Sequence, residues 1–179
     1  MTTENKQVLL LGGARAGKSG YALRLAQEHD GPVCFIATAQ ALDDDMSARI
    51  DRHRSERPVH WQTIEEPYQI DRALRESSEA SVVIVDCLTL FVSNWLLREN
   101  DERQCEQTLR EITGDFQNTA RSRGQTIICV SNEVGLGVVP ETRLGRTFRD
   151  LLGRVNQDFA RAADEVYLLV AGLKTQLKP

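Results

Sequence analysis

The chain has 179 residues, enough for one well-buried core, and is expected to form a single domain over 1–179. Hydrophobic residues make up 41% and charged residues 27%, with a net charge of -4, which excludes the diffuse basic field of a nucleic-acid-binding protein. Cys34, Cys87, Cys105 and Cys129 form no C-x-x-C pair, which excludes a zinc site or a disulfide framework. The start of the chain, 1–7, is polar and no signal peptide follows it, and no apolar run approaches the length of a membrane span. A cytoplasmic protein is expected.

In chain order, the apolar run 8–11 reads as a buried strand. Gly12, Gly13, Ala14, Arg15, Ala16, Gly17, Lys18 and Ser19 then fit the phosphate-loop pattern G-x-x-x-x-G-K-[ST] at every position. A helix with an apolar stripe follows, and strand, glycine loop and helix is the context this motif needs. The glycines let successive N–H groups point inward at phosphate oxygens, and the helix presents its positive end to the same anion. Lys18 is placed to reach the β- and γ-phosphates and the Ser19 hydroxyl to hold Mg²⁺.

A second strand spans 33–37, with Thr38, Ala39 and Gln40 leaving its C-terminal end, where ligands bind in parallel α/β sheets. Asp43, Asp44 and Asp45 suit either a helix N-terminus or a metal; capping is favoured, because three consecutive carboxylates at a helix start do not converge on one ion. The helix they open carries Met46 and Ile50 and ends before Pro58. A weakly alternating segment, 59–64, is expected to be a strand, and 68–77 a helix.

The β-branched run 81–86 ends in Asp86 and reads as a Walker B strand whose carboxylate holds Mg²⁺ beside the loop. An apolar helix, 87–97, a charged break, 100–105, and a long helix, 106–123, come next. The strand 126–130 delivers Ser131, Asn132 and Glu133 to its C-terminal end, followed by a glycine-rich segment, 134–140, expected to be mobile or tightly turned over the site. The helix 142–164 has an apolar face and an opposite face bearing Arg143, Arg146, Arg149 and Arg154. That second face suits a contact surface or equally a solvated one. A last strand, 165–170, precedes a short tail, 171–179. Strands alternating with helices imply a doubly wound, mostly parallel α/β sheet.

Of three histidines, His29 lies in a turn and His60 in the weak strand. His53 sits on a helix among Arg49, Arg52, Arg54 and Arg57, cations that attract an anion to a nucleophilic ring; spacing alone favours an exposed helix residue over that reading.

The ordered set of motifs carries a resemblance. It comprises the loop at 12–19, then 36–39, Asp43 to Met46 and 48–54 ending in His53-Arg54. It continues with Arg57-Pro58, Trp61, Asp86 to Thr89, Asn94, 132–141 and 153–157. Together they resemble the bifunctional adenosylcobinamide kinase / adenosylcobinamide-phosphate guanylyltransferase of cobalamin biosynthesis, from the first strand to the last. The resemblance implies a P-loop NTPase-like (RecA-like) fold and two reactions. A nucleoside triphosphate, ATP or GTP, phosphorylates adenosylcobinamide. GTP then guanylylates an enzyme histidine, and GMP passes to adenosylcobinamide-phosphate.

Carried over by motif, the histidine is His53 and Lys18 serves catalysis. Nucleotide contacts fall on Gly12 to Ser19, Ala37, Thr38, Ala39, Arg54, Ser55, Glu56, Arg57, Glu65 and Asp86, with Mg²⁺ on Ser19 and Asp86. Arg52 stands where some relatives have an adjacent histidine, and Ala16 where relatives often have serine. On the resemblance, the arginine face of 142–164, with Asn132 and Glu133, is a candidate for corrinoid contact or for a subunit interface, or equally a solvated face. The resemblance also implies a homotrimer, with the apolar helix of Trp95 suited to an interface. A plain small-molecule kinase, or a non-catalytic nucleotide switch, are the competing readings of the residues.

Overall fold

A computed structural model describes residues 5–41 and 43–179, the side chain of Arg49 excepted. The first four residues of the polar start, and the Arg49 side chain named as one of the cations near His53, therefore lie outside the described residues.

β1 (Gln7–Gly12) leads through the glycine loop into α1 (Lys18–Gln27) and β2 (Val33–Ala37). α2 (Asp44–Ser55), β3 (Gln62–Glu65), α3 (Ile70–Glu76) and β4 (Val82–Asp86) follow. Then come α4 (Leu88–Arg98), α5 (Glu102–Ser122), β5 (Thr126–Val130) and α6 (Arg143–Ala162). β6 (Glu165–Val170) and β7 (Leu173–Lys178) close the chain. One sheet forms in the order β3-β2-β4-β5-β1-β6-β7, parallel except for β7. The doubly wound α/β fold is as expected.

The central strands read as unbroken apolar runs because both faces are covered. Val8, Leu10, Phe35, Ile84 and Ile128 pack with Ala22 and Ala26 of α1 on one face. Leu9, Leu11, Ile36, Val83, Val85 and Ile127 pack with residues of α3, α4, α5 and α6 on the other. Cys34, Cys105 and Cys129 are free core residues, and burial pushes the thiols of Cys34 and Cys105 up to about 11.

Four expectations need correction. Residues 171–179 are not a tail: Ala171 (φ 52) and Gly172 (φ 80) form a tight turn, and β7 folds back antiparallel on β6. Positive φ at both turn positions matches the twist of a two-residue hairpin. The charged break after α4 is shorter than the expected 100–105, since Asp101 accepts from the Gln104 N–H at 2.9 Å and caps α5 at Glu102. β3 starts only at Gln62, leaving exposed His60 outside it and burying Trp61. Trp95 is buried against the chain's own core: its indole N–H donates to Tyr68 O at 2.9 Å and its ring meets the Tyr68 ring edge-on at 5.4 Å.

Among the described residues no helix is long and apolar enough to cross a membrane.

Candidate active site

The loop between β1 and α1 is fixed by its glycines and by the far edge of the sheet. Gly12 has φ 150, and a Cβ there would lie 2.3 Å from Leu169 O, so only glycine passes β6 this closely. Gly17 (φ 93) and Arg15 (φ 57) are also left-handed, which turns the loop amides inward. The Gly172 N–H donates to Ala16 O at 3.1 Å, so the β6–β7 turn braces the loop. Lys18 is buried at the start of α1, with its ammonium donating to Gly13 O at 2.7 Å across the loop mouth.

Strand register assembles the opposite wall. Ala37 pairs with Glu65 on one side and Asp86 on the other, and Asp86 pairs with Val130. Residues scattered from 37 to 130 thus form one row at the C-terminal edge of the sheet, beside the loop. The Ser19 hydroxyl lies 3.5 Å from Asp86 Oδ1. Both are hard oxygen donors of the type Mg²⁺ takes. Among the described residues there is no cluster of three or more His, Cys, Asp or Glu to cage an ion.

Thr38 locks this wall in place. Its hydroxyl accepts from the Cys87 N–H and donates to Cys87 O, both at 2.8 Å, across a cis Asp86–Cys87 peptide. Asn94 donates to Thr38 O at 2.8 Å and to Pro67 O at 3.1 Å. Thr89 accepts from the Asn132 N–H at 2.8 Å, and Asn156 donates to Asn132 O at 3.0 Å. Glu133 N–H donates to Gly12 O at 3.2 Å, so the glycine-rich segment after β5 is rooted on the loop.

α2 closes the site from above. Asp43 caps it, accepting from the Met46 N–H at 2.6 Å, which bears out capping as the role of the acidic run. None of its described side chains is buried, so polar contacts position it. His53 Nδ1 lies 3.7 Å from Asp86 Oδ2, with the two side chains 32% and 10% exposed. Arg54 pairs with Glu65 and lies 3.7 Å from Asp51. Beyond the helix, the Arg57 guanidinium stacks on the Phe35 ring at 3.6 Å and its Nε is buried, without a hydrogen-bond partner among the described residues. Burial pulls the Arg57 pKa down, and the Asp86 carboxylate opposes that shift.

The fold thus brings Lys18, Ser19, Thr38, Asp86, Arg57 and His53 around one loop, with Arg54 and Glu65 at the rim. Ala14 and Arg15 lie exposed on the loop. Ser55 and Glu56 are exposed on the outside of the turn, and the Ser55 hydroxyl donates to Arg52 O at 2.8 Å, within its own helix. The arginine face of α6 is largely satisfied internally: Arg143 reaches Glu102 at 3.0 Å, Arg154 pairs with Glu106, and Arg146 holds Pro140 O and Glu141 O. Sequence reasoning missed Asn94 and Asn156 as braces and the β6–β7 turn as a support for the loop. The Ala171-Gly172 pair between alternating segments was the available signal for that turn.

The comparisons agree with this geometry. Residues 8–177 match the family model for cobinamide kinase / cobinamide phosphate guanyltransferase. The chain is 39% identical over 180 residues to the bifunctional adenosylcobalamin biosynthesis protein CobU of Escherichia coli, covering 96% of this chain and 99% of that one. It is 44% identical over 173 residues to the bifunctional adenosylcobalamin biosynthesis protein CobP of Pseudomonas aeruginosa, covering 95% and 96%. It is 41% identical over 181 residues to the CobU protein of Salmonella typhimurium, covering 96% and 99%. The chain belongs to the cobinamide kinase / cobinamide phosphate guanyltransferase family.

Proposed function

We propose that this chain carries out both family reactions at the one loop. In the first, the aminopropanol hydroxyl of adenosylcobinamide attacks the γ-phosphorus of ATP or GTP. The new O–P bond forms as the β–γ bridging P–O bond breaks, the nucleoside diphosphate leaves, and the hydroxyl proton goes to solvent. Lys18 and the loop N–H groups hold the charge that develops on the phosphates; positioning and neutralisation are most of what phosphoryl transfer asks. Ser19 and Asp86 are the residues that would hold Mg²⁺, which supplies further neutralisation of the phosphates when bound.

In the second reaction His53 is the nucleophile. With Nδ1 turned toward Asp86, Nε2 is left to attack the α-phosphorus of GTP. A P–N bond forms, the α–β bridging bond breaks and pyrophosphate leaves. The phosphate of adenosylcobinamide-phosphate then attacks the same phosphorus, the P–N bond breaks, and adenosylcobinamide-GDP is released. A covalent intermediate divides one displacement into two. Arg57, stacked on Phe35, and Arg54, with Ala37, Thr38, Ala39 and Glu65, are the nucleotide contacts on this side; Ser55 and Glu56 close the turn between the two arginines.

The observation that carries the reading is the placement of His53 beside Asp86 at the mouth of the loop. The protein is further assigned to the cytoplasm and to a homo-oligomer, the trimer implied by resemblance. Mass spectrometry of the corrinoid after incubation with adenosylcobinamide, ATP, GTP and Mg²⁺ tests the function. Successive gains of a phosphate and of a GMP are expected. A phosphate gain alone leaves a plain kinase, and no change at all sinks both steps.

A further inference from the structure

The two reactions make conflicting demands on one triphosphate. The same corrinoid arm receives the γ-phosphate in step one and GMP from His53 in step two. The arm therefore ends near His53 in both. Step one needs the γ-phosphate facing that side of the loop; step two needs the α-phosphate there. His53 and Asp86 mark that side, since Asp86 ends β4, two strands from β1 in the order β4-β5-β1. The opposite flank of β1 is the β6–β7 hairpin.

That flank is equipped for a nucleoside. Tyr21 stands two residues beyond Ser19 on α1, half-buried, with its ring edge-on to Tyr167 at 6.1 Å. Exposed Lys174 of β7 donates to the Tyr21 hydroxyl at 2.6 Å and lies 5.1 Å from the Tyr21 ring centre and 4.9 Å from that of Tyr167. Arg24 lies 5.3 Å from the Tyr21 ring centre. The exposed turn at Ala171 and Gly172 touches the loop itself through the Gly172 N–H bond to Ala16 O. Aromatic faces flanked by cations, next to a phosphate loop, offer stacking to a base and charge to an α-phosphate.

We propose that the loop takes its two nucleotides in opposite senses, and that Tyr21, Lys174 and the Ala171–Gly172 turn form the nucleoside subsite of the phosphoryl donor. In step one a purine nucleoside lies over the hairpin and the γ-phosphate points toward Asp86. In step two the guanosine lies on the β2–β3 side, the α-phosphate meets His53, and the β- and γ-phosphates rest on the loop. This assignment rests on the two-step reading above.

The decisive probe is 8-azido-ATP with a β,γ-methylene bridge, photolysed on the full-length wild-type enzyme and mapped by peptide mass spectrometry. Crosslinks are expected in the α1 peptide holding Tyr21 or in residues 171–178. Crosslinks confined to α2 and β3 overturn the proposal. In parallel, Lys174→Ala is expected to raise the nucleotide KM of phosphorylation about tenfold more than the GTP KM of protein guanylylation. Equal changes in both, or none in either, count against it. If wild-type enzyme neither phosphorylates adenosylcobinamide nor takes up label, the two-step reading fails, while the crosslink map still reports which flank holds the nucleoside.

Discussion

The His53 imidazole and the Asp86 carboxylate, 33 residues apart in sequence, meet at 3.7 Å between α2 and the end of β4. This contact answers how a histidine on a separate helix reaches a phosphate loop: the helix lies across the C-terminal edge of the sheet. On the proposed reading it also sets the nucleophile against the residue suited to Mg²⁺, and guanylylation and phosphoryl transfer share one wall.

α2 is held without buried side chains among those described, which makes its cap matter more than usual. Asp43→Ala removes the acceptor for the Met46 N–H and is expected to cost the helix about 1 kcal/mol. Hydrogen exchange of the α2 amides should accelerate about fivefold with the rest of the sheet unchanged. Equal acceleration in α2 and β4 would show that α2 opens only with the whole domain.

Gly12→Ala combines a forbidden backbone angle with a clash against backbone. The added Cβ lies 2.3 Å from Leu169 O, an atom that cannot swing away without breaking β1–β6 pairing. A loss of about 3 kcal/mol or more is expected in urea unfolding. Gly13→Ala, where a Cβ meets nothing within 4 Å, should cost far less.

The Lys6–Glu165–Tyr167 cluster ties β1 to β6 and gives stability a pH dependence at both ends. Burial pulls the Glu165 pKa up, but hydrogen bonds from Lys6 and Tyr167 outweigh it and hold the carboxyl below its ordinary value. Its contribution is therefore present above the unfolded carboxylate pKa and lost as pH falls through the folded one. Burial, with the hydrogen bond to Glu165, raises the Tyr167 hydroxyl from 10.0 to about 12. That contribution is whole below pH 10 and lost as pH rises from there toward 12. Urea unfolding between pH 9 and pH 12 should show stability falling in the wild type and a shallower fall in Tyr167→Phe. Parallel slopes would remove Tyr167 from the account.

Much of this was legible in sequence, for physical reasons. Strands buried on both faces, such as Val82–Asp86, must be apolar throughout, and a phosphate loop needs glycine where no other residue fits. The placement of His53 was not legible from local pattern. α2 has no core-facing stripe deep enough to dictate its seat, and its polar contacts span 11 to 33 residues of sequence. Trp95 read as an interface residue because apolar character alone does not reveal which surface covers it. β7 was missed because its Leu173 and Leu177 stay exposed, so burial left no mark on its composition.

The central claim is that His53 carries GMP, and GTP labelled at the α-phosphate tests it directly. Wild-type enzyme is expected to retain label through denaturing gel electrophoresis, in a bond that is acid-labile and base-stable, as a phosphoramidate is. GTP labelled at the γ-phosphate should leave none. His53→Ala should take up no α-label. Full α-labelling of His53→Ala, or none of the wild type while it still phosphorylates adenosylcobinamide, would contradict the assignment.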